Sequence, residues 1–300
     1  MRRTKHNITA PIAFARAAFR QLRHIAAHKM TLMAARQNAP LQAVYFHPSF
    51  PHPYSVVYRM FHALGVPMKK GIPQRGKQEL GFLWKDATFV EAQPGTHLVN
   101  GACVDISKEY VEVLHKKVFG YSLEVDPLTH TGLMVSKSNL NGAHDGVTVL
   151  GPIAARADDC VYQLVVDNRG PKALEVPDNV CDMRVAIFGG APAFAYLKYR
   201  PKTSRFSNTN SSIRIAELPS ILEPAELLRV AEFCKEAGLD YGEIDVVRDY
   251  SSGKIYILDI NKTPLGPPNG LTEKDRAIAL QMYHRAFSAW IPQLKKTNAV

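Results

Sequence analysis

The chain has 300 residues, of which 46% are hydrophobic, 21% charged and 9% aromatic, and this composition excludes disorder of the chain as a whole. The formal net charge is +10, but residues 1–78 contain 13 Lys and Arg and no acid, which leaves 24 basic and 27 acidic residues elsewhere. A transmembrane helix is excluded, because four prolines interrupt the longest uncharged run, residues 37–58.

The cysteines and the N-terminus indicate the compartment. The four cysteines lie far apart without a Cys-x-x-Cys pair, which argues against a zinc ribbon or a disulfide framework. No unbroken apolar segment follows Arg2 and Arg3, so a secretory signal is not expected. We therefore expect a cytoplasmic protein, or one that is peripheral at the inner face of a membrane.

The first predicted element is a helix over residues 8–36, within a basic arm at residues 1–40. Its apolar residues recur at helical spacing, and basic residues flank that stripe, namely Arg16, Arg20 and Arg23. Three roles remain open for this helix: binding to an anionic membrane surface, packing on the enzyme or on a second subunit of a homodimer, or a cleaved transit peptide. Nucleic-acid binding is disfavoured, since few aromatic residues are interleaved with the basic ones.

After Pro40 the pattern changes to that of a short α/β domain, residues 41–103. A strand is predicted over residues 42–46 and a helix over residues 55–64, which ends at Gly65. This order corresponds to one β-α step of an α/β layer.

The rest of the chain is predicted to be α+β, with one lobe over residues 104–200 and a second over residues 201–300. Helices are expected over residues 104–118, 222–236 and 273–290, with Asp105 or Ser107 as the cap of the first. Short strands are expected over residues 133–137, 147–150, 161–166, 184–188, 194–199, 244–247 and 255–260. Antiparallel strand pairs mixed with helices define the α+β class.

The strongest functional signal is a pair of acidic residues near the C-terminus, in Gly-Glu-Ile-Asp245 and Leu-Asp259-Ile-Asn261. The turn Ser251-Ser-Gly-Lys folds the two strands into a hairpin, and alternate side chains of a strand share one face. Asp259 and Asn261 then project together, Asp245 joins them from the neighbouring strand, and Ile260 points into the core. Two carboxylates and an amide oxygen suit Mg²⁺ or Mn²⁺ that also holds nucleotide phosphates.

A surface position at the strand ends is the alternative interpretation of these acids. It conflicts with the apolar neighbours of Asp259, which are Ile257, Leu258 and Ile260. A carboxylate within so apolar a strand is costly unless it meets a cation. The acids are therefore predicted to form a metal site.

The order and spacing of these residues resemble the ATP-grasp superfamily. In that family a strand with an acid precedes a short Glu-x-Asn or Asp-x-Asn strand and a proline-containing loop, here Asp259-Ile-Asn261-Lys-Thr-Pro264. The resemblance covers about residues 104–290 and implies the ATP-grasp fold, in which two α+β lobes hold ATP and Mg²⁺. Asp259 departs from the family, which more often has Glu there, and this shorter side chain puts the metal bridging in doubt.

The resemblance also implies a nucleotide site within residues 104–200. A lysine in the first turn of a helix and another at the end of a strand match the ATP-phosphate lysines, with ordinary solvated lysines as the alternative. A polar loop with two glycines matches the lid over ATP, and a following strand matches the hinge that binds adenine and ribose. The expected nucleotide-binding residues are Lys108, Lys137, Gly142, His144, Gly146, Gln163 and Asp167.

Two further segments, Asp182-Met-Arg184 and Leu-Lys198-Tyr-Arg200, resemble the strands that bring basic residues to the transferred phosphate. Arginine suits this task because its planar guanidinium can bind two phosphate oxygens. Arg184, Lys198 and Arg200 are therefore the expected catalytic residues, with charge-paired surface arginines as the alternative.

The activity that the resemblance implies is that of an ATP-dependent ligase, which phosphorylates a substrate carboxylate so that an amine can then displace phosphate. The second hypothesis is a kinase that acts on a lipid or glycan hydroxyl at a membrane reached through residues 1–36. The third is a nucleic-acid-binding protein, which leaves the C-terminal acids unexplained. The sequence does not specify the acceptor, and the polar segment over residues 200–214 is expected either to contact it or to form a disordered loop.

Overall fold

The computed structural model describes residues 40–74, 78–93, 97–207 and 209–297. The helix over residues 8–36 and its proposed membrane contact lie outside the described residues, so both stay predictions. Across the four ranges given above, no helix has the length and apolar character needed to cross a membrane.

The N-terminal layer is built on a parallel sheet with the strand order β2-β1-β3-β4. Its strands are β1 (Ala43–Pro48), β2 (Met68–Lys70), β3 (Glu79–Trp84) and β4 (Leu98–Val99), and helix α1 (Val56–Ala63) follows β1. The predicted β-α step is confirmed, with each boundary within two residues of its expected place. The sequence does not predict β3, because all six of its residues are buried and the strand lacks polar–apolar alternation.

The next unit consists of helix α2 (Lys108–Phe119) and an antiparallel sheet with the order β6-β5-β7. Its strands are β5 (Gly132–Ser138), β6 (Val147–Gly151) and β7 (Cys160–Leu164). The Ser107 hydroxyl accepts a hydrogen bond from the Tyr110 N–H at 3.3 Å and caps the helix, which therefore begins four residues later than predicted.

The largest sheet has five antiparallel strands in the order β10-β9-β8-β11-β12. Its strands are β8 (Asn179–Phe188), β9 (Ala191–Pro201), β10 (Ser212–Ala216), β11 (Tyr241–Arg248) and β12 (Ile255–Asn261), and helices α3 (Pro224–Glu236) and α4 (Glu273–Thr297) pack around it. The sequence predicts four of these strands. The fifth, β10, begins within residues 200–214, so part of that segment is strand. The α+β class is confirmed.

A lobe boundary at residue 200 would divide this sheet. Strands β8 and β9 lie almost entirely before that residue and β10 to β12 lie after it, yet all five are paired in one sheet. We propose instead that the second lobe starts near residue 179, where the sheet starts.

The two faces of the five-stranded sheet differ in polarity. One face packs on α2 and α3 through a buried apolar cluster that includes Met183, Ile244 and Ile260. The other face is apolar at one end, where Phe188 and Tyr241 join a cluster with α4 and the N-terminal layer. The position of Ile260 on the first face confirms the predicted alternation along β12.

Asn100 fastens the N-terminal layer to this sheet. Its Nδ2 donates to the Tyr241 carbonyl oxygen at 2.7 Å, and its Oδ1 accepts from the N–H groups of Asp240 and Tyr241, both at 2.9 Å. The Asn100 N–H donates to the Asp240 carboxylate at 2.7 Å. These bonds fix the turn after β4 against the start of β11, so the N-terminal layer lies over the apolar end of the second face.

Candidate functional site

The other end of that second face is charged. Side chains alternate along a strand, so residues two positions apart project from the same face. Each of β8, β9, β11 and β12 contributes two polar side chains, and we call this set the charged stripe: Asp182, Arg184, Lys198, Arg200, Glu243, Asp245, Asp259 and Asn261.

Asp245 lies at the centre of the charged stripe, in register with Arg184 on β8 and with Asp259 on β12. Arg184 donates from Nε to Oδ1 at 3.0 Å and from Nη2 to Oδ2 at 2.8 Å, and Lys198 Nζ donates to Oδ1 at 2.9 Å. Burial alone would raise the pKa of Asp245, but the charges of Arg184 and Lys198 hold that pKa well below its ordinary value. Asp245 is therefore ionised and neutralised by two cations.

Asp259 is in a different situation from Asp245. Among the described residues it forms no ion pair, and its carboxylate accepts a hydrogen bond from the Ile260 N–H at 3.2 Å. Burial raises the pKa of Asp259, the positive charge of Lys108 opposes that rise, and the negative charge of Asp245 adds to it. A partly buried carboxylate beside a second carboxylate is stabilised when a cation binds between them.

The donor set of the stripe fits Mg²⁺. Asp259 and Asn261 offer two oxygens from one strand, whereas Asp245 Oδ1 already has two donors and Oδ2 has one, which leaves Oδ2 room for a further contact. Within the ranges that the structure describes, no group of three or more His, Cys, Asp and Glu side chains is arranged to hold a metal. Mg²⁺ commonly keeps several water ligands and is held by one or two carboxylates together with phosphate oxygens, and Asp245 and Asp259 would provide such a pair.

Lys108 and Lys137 reach the charged stripe from the unit of α2 and β5. Lys108 Nζ donates to the carbonyl oxygen of Leu140. Burial lowers the pKa of both lysines, that of Lys137 to about 8, and in both cases the charge of Asp259 opposes the decrease. Two partly desolvated ammonium groups beside the stripe are suited to bind phosphate oxygens.

The loop between β5 and β6 borders the same cleft. Gly142 and His144 adopt positive φ angles of 72° and 53° there. A Cβ atom on Gly146 would lie 3.1 Å from the ring of Phe206, so glycine allows the loop to approach the segment after β9 closely. All three predicted lid residues line a cavity over the charged stripe.

Two adjoining cavities, of about 1060 and 170 Å³, open over the charged stripe. The smaller one extends to Lys108 and Lys137, and the larger one extends to Asn261 and to α1. The larger volume is at the upper end of what small-molecule sites require. Their shared lining consists of Gly142, His144, Arg184, Lys198, Arg200, Asp245 and Asp259.

Arg200 and Arg205 connect the stripe to the segment after β9. Arg200 forms an ion pair with Asp182 and donates from Nη1 to the Ser207 carbonyl oxygen at 2.8 Å. Arg205 Nη2 donates to the Val166 carbonyl oxygen at 2.8 Å and to Asn168 Oδ1 at 3.0 Å. The sequence singles out the polarity of this segment, but it gives no signal for the contact with residues 166–168.

Gln163 and Asp167, the predicted adenine and ribose ligands, lie away from the charged stripe. Gln163 Nε2 donates to the buried Glu112 at 2.7 Å and lines a separate cavity of about 170 Å³ between α2 and β7. Asp167 forms an ion pair with Arg169 at 2.8 Å. Neither residue lines the two cavities over the stripe, so their nucleotide contacts stay predictions.

Glu243 belongs to the charged stripe although it is absent from the predicted site. Its Oε1 accepts from the Tyr283 hydroxyl at 2.8 Å, and its Oε2 lies 3.7 Å from Arg184 Nε. Burial raises the pKa of Glu243, and the charge of Arg184 opposes that rise. The sequence contains the signal for this residue, since Glu243 and Asp245 are two positions apart in one strand.

Comparison with solved structures shows that the chain is similar in fold to ATP-grasp ligases. One such chain is the ATP-grasp ligase PsnB with its minimal precursor, at 16% identity and a TM-score of 0.43, where the match covers 67% of this chain and 64% of that one. D-alanine–D-alanine ligase from Bacillus anthracis matches at 12% identity and a TM-score of 0.46, over 86% of this chain and 99% of the ligase. The RimK domain protein from Sphaerobacter thermophilus DSM 20745 matches at 13% identity and a TM-score of 0.45, over 83% and 99%.

The similarity to ATP-grasp ligases is found in the structure and not in the sequence. No protein-family model matches the chain, and no curated protein sequence matches it. At these low identities the similarity is one of fold, so activity and substrate are argued from the chain's own residues.

Proposed function

We propose that the chain is an ATP-dependent ligase that uses Mg-ATP to convert a carboxylate into an acyl phosphate, on which an amine then forms an amide. One observation supports this more than any other: six basic side chains line the smaller cavity together with the carboxylates of Asp245 and Asp259. The basic residues are Lys108, Lys137, Arg184, Lys198, Arg200 and Arg205.

In this proposal the residues of the cleft divide into two tasks. Lys108 and Lys137 bind the phosphates from the side of α2 and β5. Asp259 and Asn261, with the remaining capacity of Asp245, hold Mg²⁺, which supplies positive charge to the phosphate oxygens when it is bound.

The transfer step needs little covalent chemistry from the protein. An oxygen of the acceptor carboxylate bonds to the γ-phosphorus while the bond to the β–γ bridging oxygen breaks and ADP leaves. The amine nitrogen then bonds to the acyl carbon, phosphate leaves, and the nitrogen loses a proton. Arg184, Lys198 and Arg200 neutralise negative charge on the transferred group, and electrostatic stabilisation of this kind is commonly the largest catalytic contribution.

The nucleotide part of the proposal is tested by titrating Mg-ATP into Lys108→Ala and Lys137→Ala, with Lys254→Ala as control. Lys254 lies in the exposed turn between β11 and β12, outside both cavities. Each cleft variant should bind about ten- to a hundredfold more weakly, as expected for the loss of one charged hydrogen bond. Equal binding by all three variants and the parent would place the nucleotide elsewhere.

The reaction class is tested by incubating the chain with ATP, Mg²⁺ and pools of carboxylic acids, amines and alcohols. We expect ADP release that requires a carboxylic acid, and a product whose mass is that of acid plus amine minus water. Phosphorylated alcohols without any amide product would contradict the ligase proposal and support the kinase hypothesis.

A further inference from the structure

The larger cavity extends beyond the charged stripe to a second end, which we call the distal end. Three parts of the chain line it: Tyr54 and Arg59 at α1, the loop over residues 263–270, and Arg276 in α4. Helices α1 and α4 pack against each other, with the rings of Phe61 and Phe287 at 5.6 Å. The distal end is therefore formed by the N-terminal layer and the last helix together.

The loop of the distal end is fastened to α1 by its backbone. The Val56 N–H donates to the Leu265 carbonyl oxygen at 2.8 Å. Gly266 has a φ of 110°, and a Cβ atom placed on it would lie 2.7 Å from Val56 Cβ. A side chain cannot fit at Gly266 without moving α1 or the loop, so the wall of the distal end has a defined position.

In the described part of the chain, Arg59 and Arg276, the two arginines of the distal end, lack the ion pairs that the arginines and Lys198 of the charged stripe form. Arg184 and Lys198 are paired with Asp245, and Arg200 is paired with Asp182. Within the described residues, Arg59 and Arg276 form no ion pair.

Among the residues that the structure describes, the surroundings of Arg59 and Arg276 leave most of their hydrogen-bond donors free to bind a ligand. Arg276 Nη2 lies 3.5 Å from the Pro268 carbonyl oxygen, which occupies one of its donors. Asp86 is the further acid that lines the cavity, and its charge acts on the buried Lys262. Two guanidinium groups that flank one loop at one end of a cavity are suited to bind a carboxylate or a phosphate.

Apolar side chains also line the distal end of the larger cavity. Tyr54 is 79% exposed and Leu265 is 65% exposed, and both line the larger cavity. Large apolar side chains that are this exposed in a cavity offer contact to the carbon skeleton of a ligand. The larger cavity thus combines basic side chains at the charged stripe and at the distal end with exposed apolar surface at the distal end.

We propose that the acceptor is a dianionic organic acid, whose reacting carboxylate lies at the charged stripe and whose second anionic group is bound by Arg59 and Arg276. The position of the reacting carboxylate rests on the proposed ligase function. The recognition of the second anionic group does not, because it depends on the distal end alone. That group is a carboxylate or a phosphate, and both have the oxygens that a guanidinium binds in pairs.

The test is calorimetric titration of the full chain, without ATP, with straight-chain diacids from malonate to suberate and with monoacids of the same lengths. The ω-phosphono acids of the same lengths form a third series, which separates phosphate from carboxylate recognition. The variants are Arg59→Gln and Arg276→Gln, and the control is Arg285→Gln, an exposed arginine of α4 that does not line the cavity.

We expect the parent and Arg285→Gln to bind the best dianion at least about tenfold more tightly than its monoacid. Arg59→Gln and Arg276→Gln should lose most of this preference while binding monoacids as before. Equal affinity for mono- and dianions in the parent, including no binding of either, would overturn the inference. Retention of the preference in both variants would overturn it too.

A parallel assay of ADP release with Mg-ATP separates this inference from the ligase proposal. Arginine-dependent preference for dianions without ADP release from any acid would reject the ligase proposal and leave the distal site standing. ADP release that is equal for monoacids and diacids would reject the distal site and leave the ligase proposal standing.

Discussion

Asp245 and Asp259 face each other across two strands, yet their surroundings give them opposite properties. Asp245 accepts three charged hydrogen bonds from Arg184 and Lys198, whereas Asp259 forms no ion pair within the described part of the chain. Its pKa is raised by burial and by Asp245. Asp259 is therefore the carboxylate of this pair with the greater remaining capacity to bind a cation. Substitution of Asp259 is the most informative test of a single residue.

Asp259→Asn should reduce turnover by more than about a hundredfold, because it removes an anionic ligand of the proposed metal site. Without nucleotide, the variant should melt at the same temperature as the parent or higher, since repulsion with Asp245 is gone. Thermal melts with and without Mg-ATP, together with ADP release, measure both effects.

Ile260→Asp, on the opposite face of the same strand, is the contrasting variant. It places a charge in the core cluster and should destabilise the lobe by more than about 4 kcal/mol. A folded Asp259→Asn enzyme with full turnover would show that this hairpin is not the active site.

The site was predictable from the sequence wherever one strand places two residues on one face. This applies to Asp259 with Asn261, and the same rule would have added Glu243 to Asp245. The pairing of Arg184 with Asp245 was not predictable, because it joins β8 and β11 across 61 positions and depends on their register. The bond of Gln163 to Glu112 was likewise not predictable, because it joins a strand to a helix across 51 positions.

At the scale of elements, the contact of α2 with β12 buries a histidine. His115 is 1% exposed, its ring is stacked on that of Phe119 at 4.4 Å, and its Nδ1 accepts from the Ile257 N–H at 3.5 Å. Burial lowers the pKa of His115 to about 4. The folded chain therefore holds the neutral imidazole. Because α2 packs through this imidazole, the stability of the fold depends on pH.

The sign of that dependence follows from proton uptake. Below about pH 6.5 the unfolded chain binds a proton at His115 that the folded chain does not, so the free energy of unfolding falls as pH decreases. The loss should approach about 1.4 kcal/mol per pH unit and end near pH 4, for a total of about 3 kcal/mol.

Urea unfolding between pH 7 and 4 is the measurement, with His115→Asn compared with His97→Asn, an exposed position. In His115→Asn the free energy of unfolding should change less with pH than in the parent, whatever the effect of the substitution on stability at pH 7. Parallel curves for the parent and His115→Asn would refute a neutral buried imidazole.

Predictability differed among elements for a physical reason. Strands β5, β8, β9, β11 and β12 and all four described helices have at least one side with a regular apolar pattern, and the sequence predicts each of them. Most of their ends lie within four residues of the predicted place, but β8 begins five residues earlier and α4 ends seven residues later than predicted. Strand β3 is buried on both sides, and β2 and β4 are only three and two residues long. The hairpin of β11 and β12 was predicted and is confirmed, whereas the remaining strand order was not predictable because it depends on contacts that are distant along the chain.

At the scale of the whole molecule, the N-terminal layer and the five-stranded sheet share one apolar cluster. The ring of Trp84 is stacked on that of Tyr241 at 6.3 Å, and Tyr241 is stacked on Trp290 at 6.0 Å. Arg59 of α1 lines the larger cavity, so the N-terminal layer contributes to the candidate site as well as to the core.

Deletion of residues 1–36 should weaken binding to anionic vesicles at low salt and leave Mg-ATP binding unchanged. The deleted stretch contains eight basic residues and no acid, and each basic residue near an anionic surface contributes about 1 kcal/mol. Vesicle sedimentation with and without added salt is the measurement. Equal sedimentation of the two proteins would remove the membrane role, and an insoluble deletion would favour packing of the helix on the protein.

One face of the five-stranded sheet is divided into an apolar half and a charged half. The residues that stabilise the fold are therefore different from those that form the candidate site. In the proposed ligase, substitutions among Phe188, Tyr241 and their neighbours are expected to alter stability, whereas substitutions among Asp245, Asp259 and Asn261 are expected to alter chemistry, and the two sets share no side chain. If the charged half carries the proposed reaction, an evolving chain can exchange residues there without loosening the contact with the N-terminal layer, and can repack that contact without losing the reaction.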